Sequence, residues 1–260
     1  MNVGIIGCGT IGKFIAKELS GIDVDIWLFD LKLKNANELQ NNINKGKVAK
    51  NIDELIENCD VIVEAASQMA VREYSEKILS KKKKFLIMSV GALSDKKLRQ
   101  KLFGLGNIFI PSGAICGIDG IISASQDKLT KVELTTTKPP VAFSNYFKKK
   151  GIMVEQIKKR TLLFSGSAIE AIKKFPENVN VAATLSLAGV GFKKTIVNVV
   201  ADPKIKMNMH LIKAEGAFGK LECKVMNVPF KDNPKTSYLA ALSAVGAIKK
   251  MIGVLGLAPP

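Results

Sequence analysis

Three glycines near the beginning of the sequence follow the pattern Gly-x-Gly-x-x-Gly over residues 7–12. The pattern lies directly after an apolar run of strand length and directly before a segment with helical periodicity. In a strand-to-helix turn, Gly7 permits the tight turn, Gly9 lets the backbone approach a pyrophosphate, and Gly12 lets the helix pack close to the sheet. In this context the pattern predicts a phosphate-binding turn.

The helix after this turn and an acidic residue further along complete the prediction. Backbone N–H groups at the helix N-terminus, at Thr10 and Ile11, carry a partial positive charge and can hold phosphate oxygens. Asp30 ends the second apolar strand 18 residues past the last glycine, near the offset of about 20 residues at which a carboxylate accepts from a ribose 2′-hydroxyl. Because a carboxylate repels a 2′-phosphate, we expect NAD as the cofactor, although Lys32 and Lys34 leave NADP use open.

His210 is the only histidine in the sequence. Imidazole is the side chain whose ordinary pKa suits proton transfer near neutral pH, although a lone histidine is more often structural than catalytic. Other polar residues occur in the same, otherwise apolar part of the sequence: Asn180, Asp202, Asn233, Lys235 and Thr236. From these residues alone, both interpretations of His210 stay open.

Strands and helices alternate through residues 1–110. This alternation is typical of the α/β class and predicts a Rossmann-type, doubly wound parallel sheet. One of its helices is expected at residues 38–43. A closing apolar helix at residues 236–252 should pack back on this domain, which would then comprise residues 1–110 and 236–260.

The pattern changes after residue 110 and predicts a second, α+β domain at residues 111–235 with an antiparallel or mixed sheet. Residues 131–137 alternate with period two, as a half-exposed strand does. A glycine-bearing turn within residues 209–225 indicates a hairpin. Helices are expected at residues 167–174, which open with capping-box spacing, and at residues 178–188.

The formal net charge of +16 raises the question of nucleic acid. Almost all of the positive charge is lysine, since arginine occurs only at Arg72, Arg99 and Arg160. The basic runs at residues 81–84 and 148–150 contain no interleaved aromatic ring. We therefore expect no nucleic-acid binding, and either a solvated lysine surface or a positive field that attracts anionic ligands.

Cysteine spacing and hydropathy exclude further classes. Cys8, Cys59, Cys116 and Cys223 form no Cys-x-x-Cys pair, so we expect neither disulfides nor a metal site. No apolar run approaches the roughly 18 residues of a membrane span. The N-terminus lacks the features of a signal peptide. The expectation is a cytoplasmic protein without membrane association.

Together these features resemble the L-aspartate dehydrogenase family over nearly the whole chain. The glycine pattern is common to many dehydrogenases, whereas the later motifs and their order are more specific. They are Glu-Ala-Ala-Ser at residues 64–67, Pro-Ser-Gly-Ala-Ile-Cys-Gly at 111–117, Asn-Val-Asn-Val-Ala-Ala-Thr at 178–184, Val-Ala-Asp-Pro at 200–203, His210, and Asn-Pro-Lys-Thr-Ser at 233–237.

The resemblance implies that Ala114 and Asn180 contact the cofactor and that His210 is the catalytic residue. It also implies oxidative deamination of L-aspartate, with hydride transfer to nicotinamide and His210 as general acid/base while water attacks the imine and ammonia leaves. The reverse reaction would be reductive amination of oxaloacetate. The family is dimeric, so a homodimer is expected, and the resemblance suggests that iminoaspartate feeds NAD biosynthesis.

A dicarboxylate substrate needs cationic or N–H partners. Lys235, Thr236 and Lys194 are the candidates, with backbone N–H groups near residues 189–191. For each lysine, an ordinary solvated side chain is the alternative interpretation.

Two other functions stay open. Homoserine dehydrogenase and dihydrodipicolinate reductase share the two-domain plan, although the paired histidines of the reductases are absent from this sequence. A non-catalytic dinucleotide sensor would bind the cofactor and turn over no amino acid.

Overall fold

The computed structural model describes residues 1–176 and 180–254, and the chain divides into two compact units. The first unit consists of Met1–Pro111 and the chain from Ala241 onward, and the second of Ser112–Ala240. Across the described ranges, no helix is long and apolar enough to span a membrane. Nor do the described residues include a group of three or more His, Cys, Asp or Glu side chains that could hold a metal ion.

A parallel sheet forms the centre of the first unit. Its elements are β1 (Asn2–Ile6), α1 (Thr10–Leu19), β2 (Asp25–Phe29), α2 (Leu33–Gln40), β3 (Gly46–Val48), α3 (Ile52–Asn58), β4 (Val61–Glu64), α4 (Gln68–Ser80), β5 (Lys84–Ile87), a 3-10 turn (Val90–Ser94), α5 (Lys96–Leu105) and β6 (Ile108–Phe109). The strand order is β3-β2-β1-β4-β5-β6, with every pair parallel. This order confirms the predicted Rossmann-type sheet. The strand order reverses between β1 and β4, and folds of this type bind ligands at that point.

Two details of this unit differ from the prediction. The helix expected at residues 38–43 is α2, which begins at Leu33 and ends at Gln40. Its N-cap, Lys32, makes no side-chain cap, so no capping signal marks the start, and asparagines with low helix propensity follow its end. The edge strand β3 was not predicted because three residues, none of them buried, are too few to show periodicity.

The second unit contains a mixed sheet. Its elements are α6 (Ile118–Ala124), β7 (Leu129–Lys138), a 3-10 turn (Pro140–Phe143), α7 (Ser144–Lys149), a 3-10 turn (Val154–Gln156), β8 (Thr161–Ser167), α8 (Ala168–Lys174), α9 (Asn180–Ala188), β9 (Ile196–Ala201), β10 (Asn208–Gly216), β11 (Gly219–Asn227), β12 (Pro229–Phe230) and β13 (Asn233–Ser237). The order of the main sheet is β11-β10-β7-β9-β8. Only β7 and β9 are parallel, which confirms the prediction of a mixed sheet. The strands β12 and β13 pair separately.

Local signals in the second unit predict its structure well. The pairing of β10 with β11 is continuous up to the turn between Gly216 and Gly219, so the predicted hairpin is confirmed. Ser167 and Glu170 form the predicted capping box at the start of α8. The predicted start of the next helix, at residues 178 and 179, lies outside the described residues, and α9 is described from Asn180.

Other elements of this unit escape the sequence patterns. The helices α6 and α7 have seven and six residues and are too short for clear periodicity. The edge strand β8 contains a register shift between Leu162 and Phe164, which breaks its alternation. Thr236 was expected in the closing helix and lies instead in β13, because the chain first pairs with β12.

The closing helix, α10 (Tyr238–Met251), contributes to the core of the first unit. Ala244, Val245 and Ile248 are buried in the same cluster as Val3 and Ile5 of β1. The sheet that carries the glycine turn therefore depends on residues more than 200 positions away in the sequence.

Shortening Ile248 to alanine should destabilise the first unit. The side chain is fully buried, and Ile→Ala in a core lowers the free energy of unfolding by about 2–5 kcal/mol. Urea unfolding followed by the fluorescence of Trp27, the single tryptophan, reports on this unit. Leu242→Ala on the same helix is the control, since that side chain is 39% exposed and should cost less than about 1 kcal/mol. Equal losses for the two variants would contradict this account of the core.

Candidate functional site

The glycine turn excludes side chains at two positions. Gly7 has φ of +95°, and a Cβ there would lie 2.7 Å from the Cβ of Ala66. A Cβ on Gly12 would overlap the carbonyl oxygen of Gly7. The first turn of α1 can therefore lie directly against the end of β1 only because both residues are glycine.

The N-terminus of α1 is open. Gly9 is the N-cap residue, and no side chain of the described residues caps the helix. No described atom lies within 4 Å of the position that a Cβ on Gly9 would occupy. The first-turn N–H groups, which include those of Thr10 and Ile11, have no partner within the helix and can donate to an anion.

Asp30 lies beside this turn. One carboxylate oxygen accepts from the Cys8 N–H at 2.8 Å, and the other accepts from the Lys32 N–H at 2.8 Å and from the Asn35 amide at 3.2 Å. The carboxylate is thus held between the glycine turn and α2. Because each carboxylate oxygen has two lone pairs, the oxygen bonded to Cys8 can accept a further hydrogen bond from a ligand.

A cleft with a cavity volume of about 130 Å³ lies along the carboxyl ends of these strands. Its lining includes Gly7 and Asp30 on one side and Ala66 on the other. Leu31 and Met69, two exposed apolar side chains, also line it. Apolar walls beside hydrogen-bonding groups suit an adenosine.

Glu64 positions one wall of the cleft and was not predicted as a site residue. It is fully buried, and its carboxylate accepts from the N–H groups of Ala66 and Ser67 at 2.8 Å and of Ser89 at 2.9 Å. Burial raises the pKa of Glu64, because loss of hydration outweighs these hydrogen bonds. A charged residue at the end of an otherwise apolar buried strand is the sequence signal for it.

In the second unit, His210 is buried on the main sheet. It pairs across the strands with Thr136, and its Nδ1 lies 3.1 Å from the Thr136 Oγ1. The side chain is 2% exposed. Burial, with a smaller contribution from the charge of Lys138, lowers the pKa of His210 to about 3. The imidazole is therefore neutral at physiological pH and can accept a proton.

Lys138 is the second ionisable group here, and sequence reasoning missed it. It ends β7 two residues after Thr136 and is 3% exposed. Its Nζ donates to the Lys235 carbonyl oxygen at 2.8 Å. Burial, with a smaller effect from the nearby charge of Lys235, lowers the pKa of Lys138 to about 7. A lysine at an inward position of an alternating strand is the signal that could have identified it.

Strand β13 contains Lys235, which contacts Lys138, and the next residue, Thr236. The amide nitrogen of Asn208 donates to the Pro234 carbonyl oxygen at 3.3 Å and to the Ser237 Oγ at 3.2 Å. The Asn208 Oδ1 is buried and has no hydrogen-bond partner among the described residues. An orphaned buried acceptor of this kind fits a ligand that carries a donor.

Ala114 is anchored at the same end of the sheet. Its carbonyl oxygen accepts from the Asn227 amide at 2.8 Å, and Asn227 pairs with Asn208 across the hairpin. Asn180 is the first described residue of α9, and its carbonyl oxygen accepts from the Thr184 hydroxyl at 3.4 Å.

Lys194 is not brought to His210. It is exposed in the turn before β9, at the end of the sheet opposite Lys138, which pairs with Ala201 at the other end of that strand. Asp202 follows β9 and accepts from the Lys204 N–H at 2.9 Å, closing a turn. Of the sequence-predicted substrate residues, Lys235 therefore lies beside Lys138, Thr236 follows it along β13, and Lys194 lies at the opposite end of the sheet.

Family models match both units. The model described as the C-terminal part of aspartate dehydrogenase matches residues 119–251. The model described as the NAD binding domain of homoserine dehydrogenase matches residues 7–107.

Individual proteins match nearly the full length. The chain is 46% identical to an L-aspartate dehydrogenase of Methanosarcina mazei over 263 residues, covering 97% of each chain. It is 41% identical to an L-aspartate dehydrogenase of Methanocaldococcus jannaschii over 261 residues, covering 96% of this chain and 97% of the relative. The crystal structure of aspartate dehydrogenase from Thermotoga maritima is similar with a TM-score of 0.76 and 30% identity, covering 100% of this chain and 99% of that one.

Gly12→Ala should impair dinucleotide binding. The new Cβ must displace the Gly7 carbonyl, and overpacking of about 1–3 kcal/mol should lower the affinity for NADH about fivefold to a hundredfold. A fluorescence titration with NADH measures this affinity. Gly104→Ala is the matched control, because Gly104 lies exposed on α5 with no described atom near its Cβ position. Unchanged affinity in Gly12→Ala would show that the turn does not hold the pyrophosphate.

Proposed function

The chain belongs to the L-aspartate dehydrogenase family, and on that premise we propose that it oxidises L-aspartate with a nicotinamide dinucleotide and releases oxaloacetate and ammonia. The observation that carries the proposal is the group formed by the buried His210 and Lys138 of the main sheet and the half-buried Lys235 of β13. A neutral imidazole beside cationic groups suits a reaction that moves a proton on an anionic substrate.

The first unit fits the cofactor. The open N-terminus of α1 offers N–H groups to a pyrophosphate, and Asp30 offers a carboxylate to a ribose hydroxyl. The carboxylate favours NAD over NADP, with Lys32 and Lys34 as the residues that would accommodate a phosphate. When bound, the nicotinamide ring accepts the hydride that leaves Cα of the substrate. Ala114 and Asn180 are proposed as further cofactor contacts, on the family resemblance.

His210 is proposed as the catalytic acid/base. Its Nδ1 faces Thr136, so Nε2 is the atom left to exchange protons with the substrate. Loss of hydride from Cα of the neutral amine leaves an iminium, and water adds to that carbon and gives one proton to Nε2. Nε2 returns this proton to the nitrogen of the resulting carbinolamine. The C–N bond then breaks as the hydroxyl oxygen forms the carbonyl and releases its proton to solvent, which leaves oxaloacetate and ammonia. The negative charge of a bound dicarboxylate would raise the low pKa of His210 and make it a better base.

The experiment that tests this function is an NADH oxidation assay with oxaloacetate and ammonium, run beside NAD reduction with L-aspartate and other amino acids. Oxidation should depend on ammonium, and L-aspartate should be the preferred amino acid. His210→Asn, which keeps an amide beside Thr136 but cannot take a proton, should lower kcat by about 10²–10⁴-fold.

The matched measurement is NADH affinity, which His210→Asn should leave within about twofold because the glycine turn is untouched. Near-normal turnover in this variant would refute the role of His210. NAD binding by the wild type without turnover of any amino or keto acid would favour a dinucleotide sensor.

We also propose a homodimer that forms through the outer face of the main sheet. Leu162, Ile196 and Met226 are exposed apolar residues there, and the strand register places all three on the face opposite His210. Met226→Lys would bury a charge in such an interface and should shift the protein towards monomer in sedimentation equilibrium. A monomeric wild type would contradict the proposal.

A cytoplasmic location and the supply of iminoaspartate to NAD biosynthesis complete the proposed function. The four cysteines form no disulfide, which suits a reducing compartment. The supply role rests on the family resemblance.

A further inference from the structure

Lys138 ends β7 and buries its side-chain amine near His210. His210 pairs with Thr136, and Lys138 follows Thr136 by two residues, so the two ionisable side chains project from the same face of the sheet. They are 2% and 3% exposed. Asn208 is the next residue on that face of β10, and Met209 beside it pairs with Thr137.

Three groups that can carry positive charge converge here. The Lys138 Nζ donates to the Lys235 carbonyl oxygen at 2.8 Å. The charge of Lys235 lowers the pKa of Lys138, and the charge of Lys138 lowers the pKa of His210. Like charges brought together with little solvent repel each other, and an anion among them relieves that repulsion. The arrangement therefore favours binding of an anionic ligand.

We propose, on the basis of the proposed function, that Lys138 binds a carboxylate of the C4 dicarboxylate substrate and so helps to determine specificity. Lys235 contributes a second positive charge to the same ligand. The orphaned Asn208 Oδ1 adds a buried acceptor, which suits the amino group of an amino acid. Lys138, at the His210 end of the sheet, thus takes the role that the sequence had suggested for Lys194.

This assignment predicts that dicarboxylate binding takes up a proton. Burial and the charge of Lys235 lower the pKa of Lys138 to about 7, so the free amine is mostly neutral at pH 8. A bound carboxylate favours the ammonium form and raises that pKa. Of the other groups around it, His210 has a pKa lowered to about 3 and stays neutral at pH 8, and Asp202, after β9, caps its own turn.

The experiment is calorimetric titration of the NAD-saturated protein with succinate, a dicarboxylate that cannot be deaminated. At pH 8, titrations in two buffers of different ionisation enthalpy give the number of protons bound. For the wild type we expect an uptake of about 0.5–0.9 proton per site. Lys138→Met should weaken succinate binding roughly tenfold to a hundredfold and abolish the uptake.

Two further variants make the result interpretable. Lys138→Arg keeps a charge that does not titrate, so it should retain much of the binding and lose the proton uptake. Lys131→Met, on the same strand but exposed and paired with Glu133, should behave as the wild type. If Lys138→Met does not fold, the wild type and Lys138→Arg decide the question.

The proposal is overturned if succinate does not bind the wild type, or binds without proton uptake. It is also overturned if Lys138→Met or Lys138→Arg keeps both the affinity and the uptake of the wild type. These results are independent of turnover. If the protein oxidises aspartate but its affinity for succinate does not depend on Lys138, only this inference is refuted. If succinate binding depends on Lys138 but aspartate is not oxidised, only the proposed reaction is refuted.

Discussion

The antiparallel pairing of β7 with β10 determines which polar side chains meet in the second unit. Val132 and Leu134 of β7 pair with Ala214 and Ile212 of β10, and all four are buried. Because strand side chains alternate between faces, a slip of one residue would expose this apolar set and turn His210 to the other side of the sheet. The hydrophobic core thus holds the register on which the polar cluster depends.

The buried ionisable groups of the two units have different hydrogen-bond environments. The carboxylate of Glu64 accepts four hydrogen bonds, two of them from the N–H and hydroxyl groups of Ser89. Its hydrogen-bonding capacity is therefore satisfied by residues of its own unit. Around His210 burial lowers the pKa values of two cationic groups, and the Asn208 Oδ1 lacks a partner among the described residues. The first arrangement suits a structural support and the second a ligand-binding site.

Local interactions could be predicted from the sequence, whereas interactions between residues far apart in the chain could not. The glycine turn and the capping box at Ser167 are local, so a short pattern contains the information that specifies them. Lys138 and Glu64 acquire their significance only through strand order and register. The chain has 39 lysines and arginines, and without that register the sequence could not show which of them bind the substrate. The sequence therefore suggested Lys235, which lies in the cluster, and also Lys194, which does not. Strand β8 was not predicted because the register shift between Leu162 and Phe164 breaks its alternation.

The two sites also differ in whether backbone or side-chain groups form them, and therefore in how a substitution affects them. In the proposed dinucleotide site, backbone N–H groups and the Asp30 carboxylate are the binding groups, so Gly7 and Gly12 constrain its shape. The cluster at His210 is made of side chains on paired strands, and rigid strands hold such groups more firmly than loops do. In the proposed role of Lys138, specificity for an acidic substrate depends on keeping its amine buried at a cost in stability. A chain that lost this ligand would gain stability by replacing Lys138 with an apolar residue of similar volume.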